Sequence, residues 1–174
     1  NVTEEQKKIG LYGGTFDPIH LGHLNLAIEL SELRGLDEVW FCPAQSNPHK
    51  TDIPGGNVSQ RLAMAQLAIE GIPSFKVIDN EARRPAPSYT IDTLKELKEA
   101  YPNFAFYLLL GEDSIPGFFR WHQLPELLSI AKVYTGSRTG EFDKNQYSGE
   151  DQRVLAALVE GLTQTRLMDI SATM

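Results

Sequence analysis

Residues 9–23 of the chain read IGLYGGTFDPIHLGH, and this stretch carries the clearest structural signal in the sequence. Residues 9–12 are mostly apolar and are typical of a buried strand. The glycine pair at 13–14 then allows the backbone to approach a ligand with no Cβ in the way. A helical spacing of apolar residues follows over residues 24–33. The stretch therefore predicts a strand, a glycine turn and a helix in direct succession.

Strand patterns and helical patterns alternate along the rest of the chain. We predict further strands at residues 39–42, 75–78, 104–110, 132–134 and 166–170, and helices at residues 61–69, 90–100, 124–130 and 152–160. Residues 45–56 and 140–150 are predicted as loops, the first of them long enough to suggest a function. This alternation indicates an α/β fold with a mostly parallel sheet and right-handed crossovers. Ligands of such sheets bind beyond the carboxyl ends of the strands.

The composition limits the class of protein. With 174 residues, 41% hydrophobic and 22% charged, the chain is typical of a folded globular protein. No apolar run approaches the about 20 residues that cross a bilayer, and the polar start lacks the apolar region of a signal peptide. Cys42 is the only cysteine, which excludes an internal disulfide. These features favour the cytoplasm and no membrane partner, and they leave the oligomeric state open, with a homo-oligomer among the options.

The net charge of −7 argues against a nucleic-acid-binding protein, which usually has a basic surface. It does not argue against binding of one small anion. A few convergent hydrogen-bond donors near a helix end attract an anion more strongly than distant acidic groups repel it, because salt screens the distant charges.

The turn at residues 13–23 carries the strongest chemical signal. His20 and His23 are three residues apart, so both imidazoles are expected to project from one face of a helical first turn. Free amides and the positive end of the helix dipole lie beside them, which suits phosphate oxygens. Asp17-Pro18 is expected to lead into the helix, with the proline at its first position.

Two other interpretations of this turn stay open. It is either a glycine turn followed by two surface histidines, or a pair of metal ligands. The metal pair lacks further ligands in the sequence, because the other two histidines, His49 and His122, lie in different segments.

The string GGTFDPIHLGH resembles the signature of the adenylyl- and cytidylyltransferase superfamily, in which His-x-Gly-His follows the first strand. Its form is particularly similar to that of the bacterial nicotinate-nucleotide adenylyltransferases. Further segments match that family in order, namely PHK at 48–50, PSYTIDTL at 87–94, LGED at 110–113, Phe118, Trp121 and Arg138. The match is partial at Thr139, where the family often has proline, and at ISAT over 170–173, where the family has Ile-Ser-Ser-Thr-x-Ile-Arg.

The resemblance implies a Rossmann-like, doubly wound sheet of the nucleotidyltransferase α/β phosphodiesterase type. We expect one nucleotidyltransferase domain over residues 1–174. Because the family's terminal arginine does not appear before Met174, the last residue, we expect that domain to be cut short at its carboxyl terminus.

The resemblance also implies an activity, which is adenylyl transfer from ATP to nicotinic acid mononucleotide in NAD biosynthesis, giving deamido-NAD and pyrophosphate. The implied catalytic residues are His20, His23 and Lys50. The implied ATP-binding residues are Gly13, Gly14, Thr15, Phe16, His20, His23, Gly111, Asp113, Ile170, Ser171 and Thr173. The implied residues for nicotinic acid mononucleotide are Gly14, Thr15, Gln45, Lys50, Tyr89, Thr90, Trp121, His122 and Arg138. Mg²⁺ carried by ATP is the implied cofactor, without dedicated protein ligands.

Elementary chemistry agrees with several of these roles. Lys50 on a loop can close over a phosphate as a point charge. If Thr90 caps its helix, the free amides there suit a carboxylate better than a neutral carboxamide. The face of Trp121 suits a cationic pyridinium ring, and Asp113 can accept hydrogen bonds from ribose hydroxyls.

Two alternatives to this activity remain. One is another small adenylyltransferase, of the phosphopantetheine type, which shares the His-x-Gly-His. The other is a nucleotide-binding homologue without catalytic activity. A nicotinamide-dependent dehydrogenase has little support, because Gly-x-Gly-x-x-Gly does not follow the first strand.

Overall fold

The computed structural model of the chain describes residues 6–16, 18–45, 57–85 and 87–165. Its strands are β1 (Lys8–Gly14), β2 (Glu38–Pro43), β3 (Phe75–Val77), β4 (Ala105–Leu110), β5 (Lys132–Ser137) and β6 (Leu162–Gln164). They form one six-stranded sheet in the order β3-β2-β1-β4-β5-β6, and every neighbouring pair is parallel. The strand order reverses between β1 and β4, which is where ligands bind in doubly wound sheets.

The helices are α1 (Leu21–Arg34), α2 (Val58–Ala68), α3 (Asn80–Arg83), α4 (Thr90–Ala100), α5 (Ile115–Phe118), α6 (Leu124–Ile130) and α7 (Gln152–Glu160). Short 3-10 turns occupy Glu112–Ser114 and Lys144–Tyr147. Within the described ranges, no helix is long and apolar enough to cross a membrane.

Helices cover both faces of the sheet, as the apolar clusters show. Ile9 and Leu11 of β1 pack into a cluster with residues of α4, α6 and α7, whereas Tyr12 packs into a second cluster with residues of α1 and α2. Successive residues of a strand point to opposite faces, so burial of both sets places β1 at the centre of the fold. The predicted Rossmann-like α/β architecture is confirmed.

The element boundaries differ from the prediction in several places. The short helices α3 and α5 were not predicted, and neither was β6. The strand predicted at residues 166–170 lies outside the described residues. The predicted surface loop at residues 140–150 is partly wrong, because its 3-10 turn buries Tyr147 against the rings of Phe119 and Phe142.

Arg34, the last residue of α1, ties this helix to the far strand β6. Its Nε donates to Thr163 Oγ1 at 2.8 Å, and its Nη2 donates to the Leu162 carbonyl at 3.2 Å. The guanidinium also lies over the Tyr134 ring of β5, 4.4 Å from the centroid. The helix that follows β1 is therefore anchored two strands beyond β4, at the edge of the sheet.

Candidate active site

The turn after β1 is held in shape by aromatic packing. Phe16 is buried and has a φ of +49°, a conformation that bulky residues rarely adopt. Its ring meets Tyr12 at 5.4 Å and Phe41 at 5.8 Å between centroids, and it stands edge-on to His23 at 4.9 Å. Such conformations persist where the surrounding structure determines them, and they cluster at functional sites.

His20 and His23 form a reciprocal cap at the start of α1. His20 is the N-cap residue, and its Nδ1 accepts a hydrogen bond from the Gly22 amide at 3.1 Å. The Nδ1 of His23 accepts from the amide of His20 at 3.0 Å. The expectation that Pro18 opens this helix is wrong, because α1 begins three residues later, at Leu21.

The cap fixes which nitrogen of each imidazole can meet a ligand. An Nδ1 that accepts a backbone N–H carries no proton, so the proton of each neutral ring is on Nε2. The two half-buried rings lie 3.9 Å apart between centroids, with a 31° angle between their planes. Two adjacent Nε2–H groups are thereby available as donors beside the glycine turn. In this arrangement the Nδ1 lone pair of each ring is engaged by an amide, and Nε2 carries the proton. Neither nitrogen of either ring therefore offers a lone pair to a metal ion.

Burial and the neighbouring His20 lower the pKa of His23 from 6.5 to about 4, although the charge of Asp113 acts in the opposite direction. The His23 imidazole is therefore neutral at physiological pH. It can donate a proton in a hydrogen bond without carrying a formal charge.

We expect a proton NMR titration of His23 to give a pKa near 4 rather than near 6.5. Because folding favours the neutral ring, its contribution to stability is complete above about pH 6.5 and is lost as the pH falls towards 4. Replacement His23→Asn, which assigns the resonance, is expected to remove this part of the acid dependence of the unfolding free energy. A measured His23 pKa of 6 or more would contradict the cap.

The end of β4 brings Asp113 to the same place. A Cβ on Gly111 would lie 3.0 Å from Asp113 Oδ1 and 3.8 Å from Tyr12 Oη, so the glycine leaves room for the carboxylate beside β1. Burial, with a contribution from the Asp113 charge, raises the pKa of Tyr12, and the same charge acts on His23. Asp113 itself is exposed and free to meet a ligand. The described members of the predicted ATP set lie at the carboxyl ends of the adjacent strands β1 and β4. They are Gly13, Gly14, Thr15, Phe16, His20, His23, Gly111 and Asp113.

Arg61 helps to hold this site together, and the sequence analysis did not predict it. It lies on α2, is 1% exposed, and its guanidinium donates to three backbone carbonyls. Nη1 reaches Thr15 and Ala44, each at 2.8 Å, and Nη2 reaches Gln45 at 3.1 Å. One side chain thus joins the turn after β1 to the segment after β2. The available signal was its spacing, since Arg61 stands four residues before Ala65 on the buried face of α2.

A second group of predicted residues meets around the start of α4, a helix that packs on the other face of the sheet from α1. The Tyr89 ring stacks on His122 at 4.0 Å between centroids with a 20° interplanar angle. Trp121 beside it is half-buried and packs edge-on against Phe118 at 4.9 Å. The expectation that Thr90 caps α4 is wrong, because Tyr89 occupies the N-cap position and makes no side-chain capping bond.

The remaining predicted residues are less closely tied to either group. Gln45 is half-buried and linked to the site through its carbonyl, whereas Arg138 is exposed just after β5, where its carbonyl accepts from Gln164 Nε2 at 3.1 Å. The predictions for Lys50, Ile170, Ser171 and Thr173 lie outside the described residues. Within the described ranges, no cluster of three or more His, Cys, Asp or Glu side chains is placed to hold a metal ion.

Comparisons with known proteins identify the family of the chain. The family model described as cytidylyltransferase-like matches residues 11–174. The nicotinate-nucleotide adenylyltransferase of Bacillus subtilis is 44% identical over 134 residues, which cover 77% of this chain and 71% of that protein.

Solved structures show the same fold. The nicotinic acid mononucleotide adenylyltransferase of Plasmodium falciparum complexed with NaAD has a TM-score of 0.69 and 25% identity, over 95% of this chain and 78% of that one. The structure of the Plasmodium falciparum enzyme complexed with APC gives a TM-score of 0.66 at 24% identity, over 95% and 77%. The chain therefore belongs to the cytidylyltransferase-like family and, within it, to the nicotinate-nucleotide adenylyltransferases.

Proposed function

We infer that this chain transfers AMP from ATP to nicotinic acid mononucleotide, releasing pyrophosphate and forming deamido-NAD for NAD biosynthesis. The observation that carries the inference is the pair of Nε2–H donors beside the glycine turn, at the point where the strand order reverses. A relative 44% identical to the chain is named for this reaction, and a structural relative is complexed with NaAD.

In the proposed reaction, an oxygen of the nucleotide's 5′-phosphate attacks the α-phosphorus of ATP. The bond from that phosphorus to the bridging oxygen breaks, and pyrophosphate leaves. A phosphate monoester has a second pKa of about 6, so the attacking oxygen is already ionised at neutral pH. The site therefore has to orient the two substrates and stabilise the charge on the transferring and departing phosphates, rather than supply a strong base.

We assign that task to the His20 and His23 Nε2–H groups and to the amides of Gly14, Thr15 and Phe16, with Lys50 as a third catalytic residue. Ser171 and Thr173 near the chain end are proposed to hold ATP phosphates, together with the amide of Ile170. Asp113 is proposed to accept from ribose hydroxyls, which its exposure beside Gly111 supports.

The acceptor nucleotide is proposed to bind at the second group. The aromatic pair Tyr89–His122 and the half-buried Trp121 offer ring faces to a pyridinium, and the amides at the start of α4 suit its carboxylate. The proposed set is completed by Gly14, Thr15, Gln45, Lys50, Thr90 and Arg138. The stacking of Tyr89 on His122 supports a role for His122 in ordering this surface.

We also propose Mg²⁺ as the cofactor, bound mainly by ATP phosphates and water, where it neutralises charge on the departing pyrophosphate. The donor set fits this arrangement, since the two histidines present N–H groups and no free Nδ1 lone pair. All substrates are small and water-soluble, and we place the reaction in the cytoplasm without membrane or nucleic-acid partners.

The test is pyrophosphate release with ATP and Mg²⁺ and with either nicotinic acid mononucleotide or its amide. We expect release with the acid and much less with the amide, because amides at a helix start favour a negative charge. Equal release with both nucleotides would contradict the proposed carboxylate site. No release with either, but release with phosphopantetheine, would replace the assignment by the phosphopantetheine type. Binding of nucleotides without release in any combination would identify a non-catalytic homologue.

A further inference from the structure

We propose that Arg84 is a positioning residue for the acceptor nucleotide, because it holds the start of α4 in its binding conformation. The proposal rests on the proposed function for the identity of that nucleotide. It assigns to Arg84 no contact with either substrate.

The contacts of Arg84 all fall within the first turns of α4 and the segment before it. Nε donates to Ser88 Oγ at 3.1 Å, and Nη2 donates to the Tyr89 carbonyl at 3.3 Å and to Thr93 Oγ1. Nη1 forms an ion pair with Glu96 at 2.9 Å. One planar guanidinium thus fixes residues 88, 89, 93 and 96 relative to one another, which the single point charge of a lysine cannot reproduce.

These contacts also hold the carbonyl with which the helical hydrogen bonds of α4 begin. Tyr89 is the N-cap residue but provides no side-chain cap. Its carbonyl accepts the first helical hydrogen bonds, from the amides of Asp92 at 3.1 Å and Thr93 at 3.3 Å, and it also accepts from Arg84. Arg84 therefore fixes the backbone immediately before the first amides of α4. The Tyr89 ring, stacked on His122, is carried by the same backbone.

Buried polar groups beneath the segment hold the guanidinium in place. Thr93 is fully buried, accepts from Arg84, and donates to Glu81 Oε2 at 3.5 Å. Burial raises the pKa of Glu81 to about 7, and the charge of Arg84 acts against that rise. Moving Arg84 outward would take away from the Glu81 carboxyl, itself 7% exposed, the positive charge that opposes this rise. The Arg84 guanidinium is consequently held by residues of the protein and is not free to contact a substrate.

The neighbouring residue provides a matched control. Arg83 has a side chain 60% exposed and pairs with Asp79 in an i, i+4 contact at 2.9 Å. Exposed pairs of this kind contribute little to stability. The replacements Arg83→Gln and Arg84→Gln therefore remove the same charge from adjacent positions, and only the second releases the start of α4.

Steady-state kinetics with each substrate varied separately tests the proposal. For Arg84→Gln we expect the KM for nicotinic acid mononucleotide to rise by about tenfold or more, since small misplacements in a binding site have effects of this size. The KM for ATP is expected to stay within about twofold, and Arg84→Lys to lie between wild type and glutamine. Arg83→Gln should match the wild type. An unchanged acceptor KM in Arg84→Gln, or an equal rise for both substrates, would overturn the proposal.

Hydrogen exchange gives a second readout that needs no substrate. The Asp92 and Thr93 amides, which donate to the Tyr89 carbonyl, should exchange faster in Arg84→Gln than in Arg83→Gln. Equal exchange in both variants would overturn the proposal even if the enzyme acted on a different acceptor. A wild-type protein that releases no pyrophosphate, with faster exchange in Arg84→Gln, would contradict the proposed function and leave the positioning role standing.

Discussion

Replacement of His23 by alanine is expected to lower turnover by at least about tenfold, without unfolding the protein. Under the proposed function, the variant lacks one Nε2–H donor to the phosphates in the transition state. Loss of a comparable donor in an oxyanion hole costs on the order of 2–4 kcal/mol. The measurement is kcat for pyrophosphate release, with the melting temperature recorded for the same samples.

Alanine also removes the acceptor of the His20 amide, so two further variants separate capping from catalysis. In His23→Asn, the side-chain oxygen can take the place of Nδ1 and restore the cap, but the distal donor is lost. In His23→Gln, the amide nitrogen can take the place of Nε2, but the cap is lost. We expect asparagine to fold like wild type and turn over poorly, and glutamine to retain more activity. Near-wild-type turnover of the asparagine variant would refute the role as a phosphate donor.

The second large effect is expected at Arg61. Replacement by methionine keeps most of the buried volume but leaves the carbonyls of Thr15, Ala44 and Gln45 without their guanidinium donor. A hydrogen bond to a charged group contributes about 1.5–3 kcal/mol, so we expect a loss of about 3 kcal/mol or more in the free energy of unfolding. Turnover should fall as well, since the turn after β1 loses the side chain that joins it to the segment after β2, and the hydrogen bond from the Ala44 amide to the Gly14 carbonyl at 2.8 Å remains. Urea unfolding and kcat measure the two effects.

Two further variants, Arg61→Lys and Gln66→Met, serve as controls for this result. Lysine supplies one ammonium group in place of a planar fork, so its stability should lie between arginine and methionine. Gln66 is exposed on the same helix, and its replacement by methionine is expected to change stability by less than about 0.5 kcal/mol. If Arg61→Met unfolded at the same urea concentration as Gln66→Met, the three carbonyl contacts would have no role in holding the site together.

The sequence predicts the parts of the site that stand at strand ends. His20 and His23 follow a glycine turn, and Asp113 follows an apolar strand, so the parallel sheet brings all three to one edge. The long helices and most strands were predicted for a related reason, because their apolar residues repeat with the period of the element.

The features that the sequence did not predict are side chains and short helices that do not show the apolar period of a helix or strand. The spacing of Arg61 from Ala65 places it on the buried face of α2, but it does not show which groups the guanidinium binds. Arg84 follows a helix of only four residues, which is too short for spacing to mark its position. The helices α3 and α5 are each too short to show a period of 3.6 residues. Thr90 is not the cap because it is already the first residue of α4, so the N-cap position falls on Tyr89.

The attachment of Arg34 to Thr163 spans 129 positions of the chain. A ribosome delivers the polypeptide from the amino terminus, and early segments begin to fold before late ones exist. The helix that carries His23 is therefore synthesised well before its partner on β6, which follows it by 129 positions. During synthesis, then, α1 acquires its contact with the far edge of the sheet only after β6 has been made.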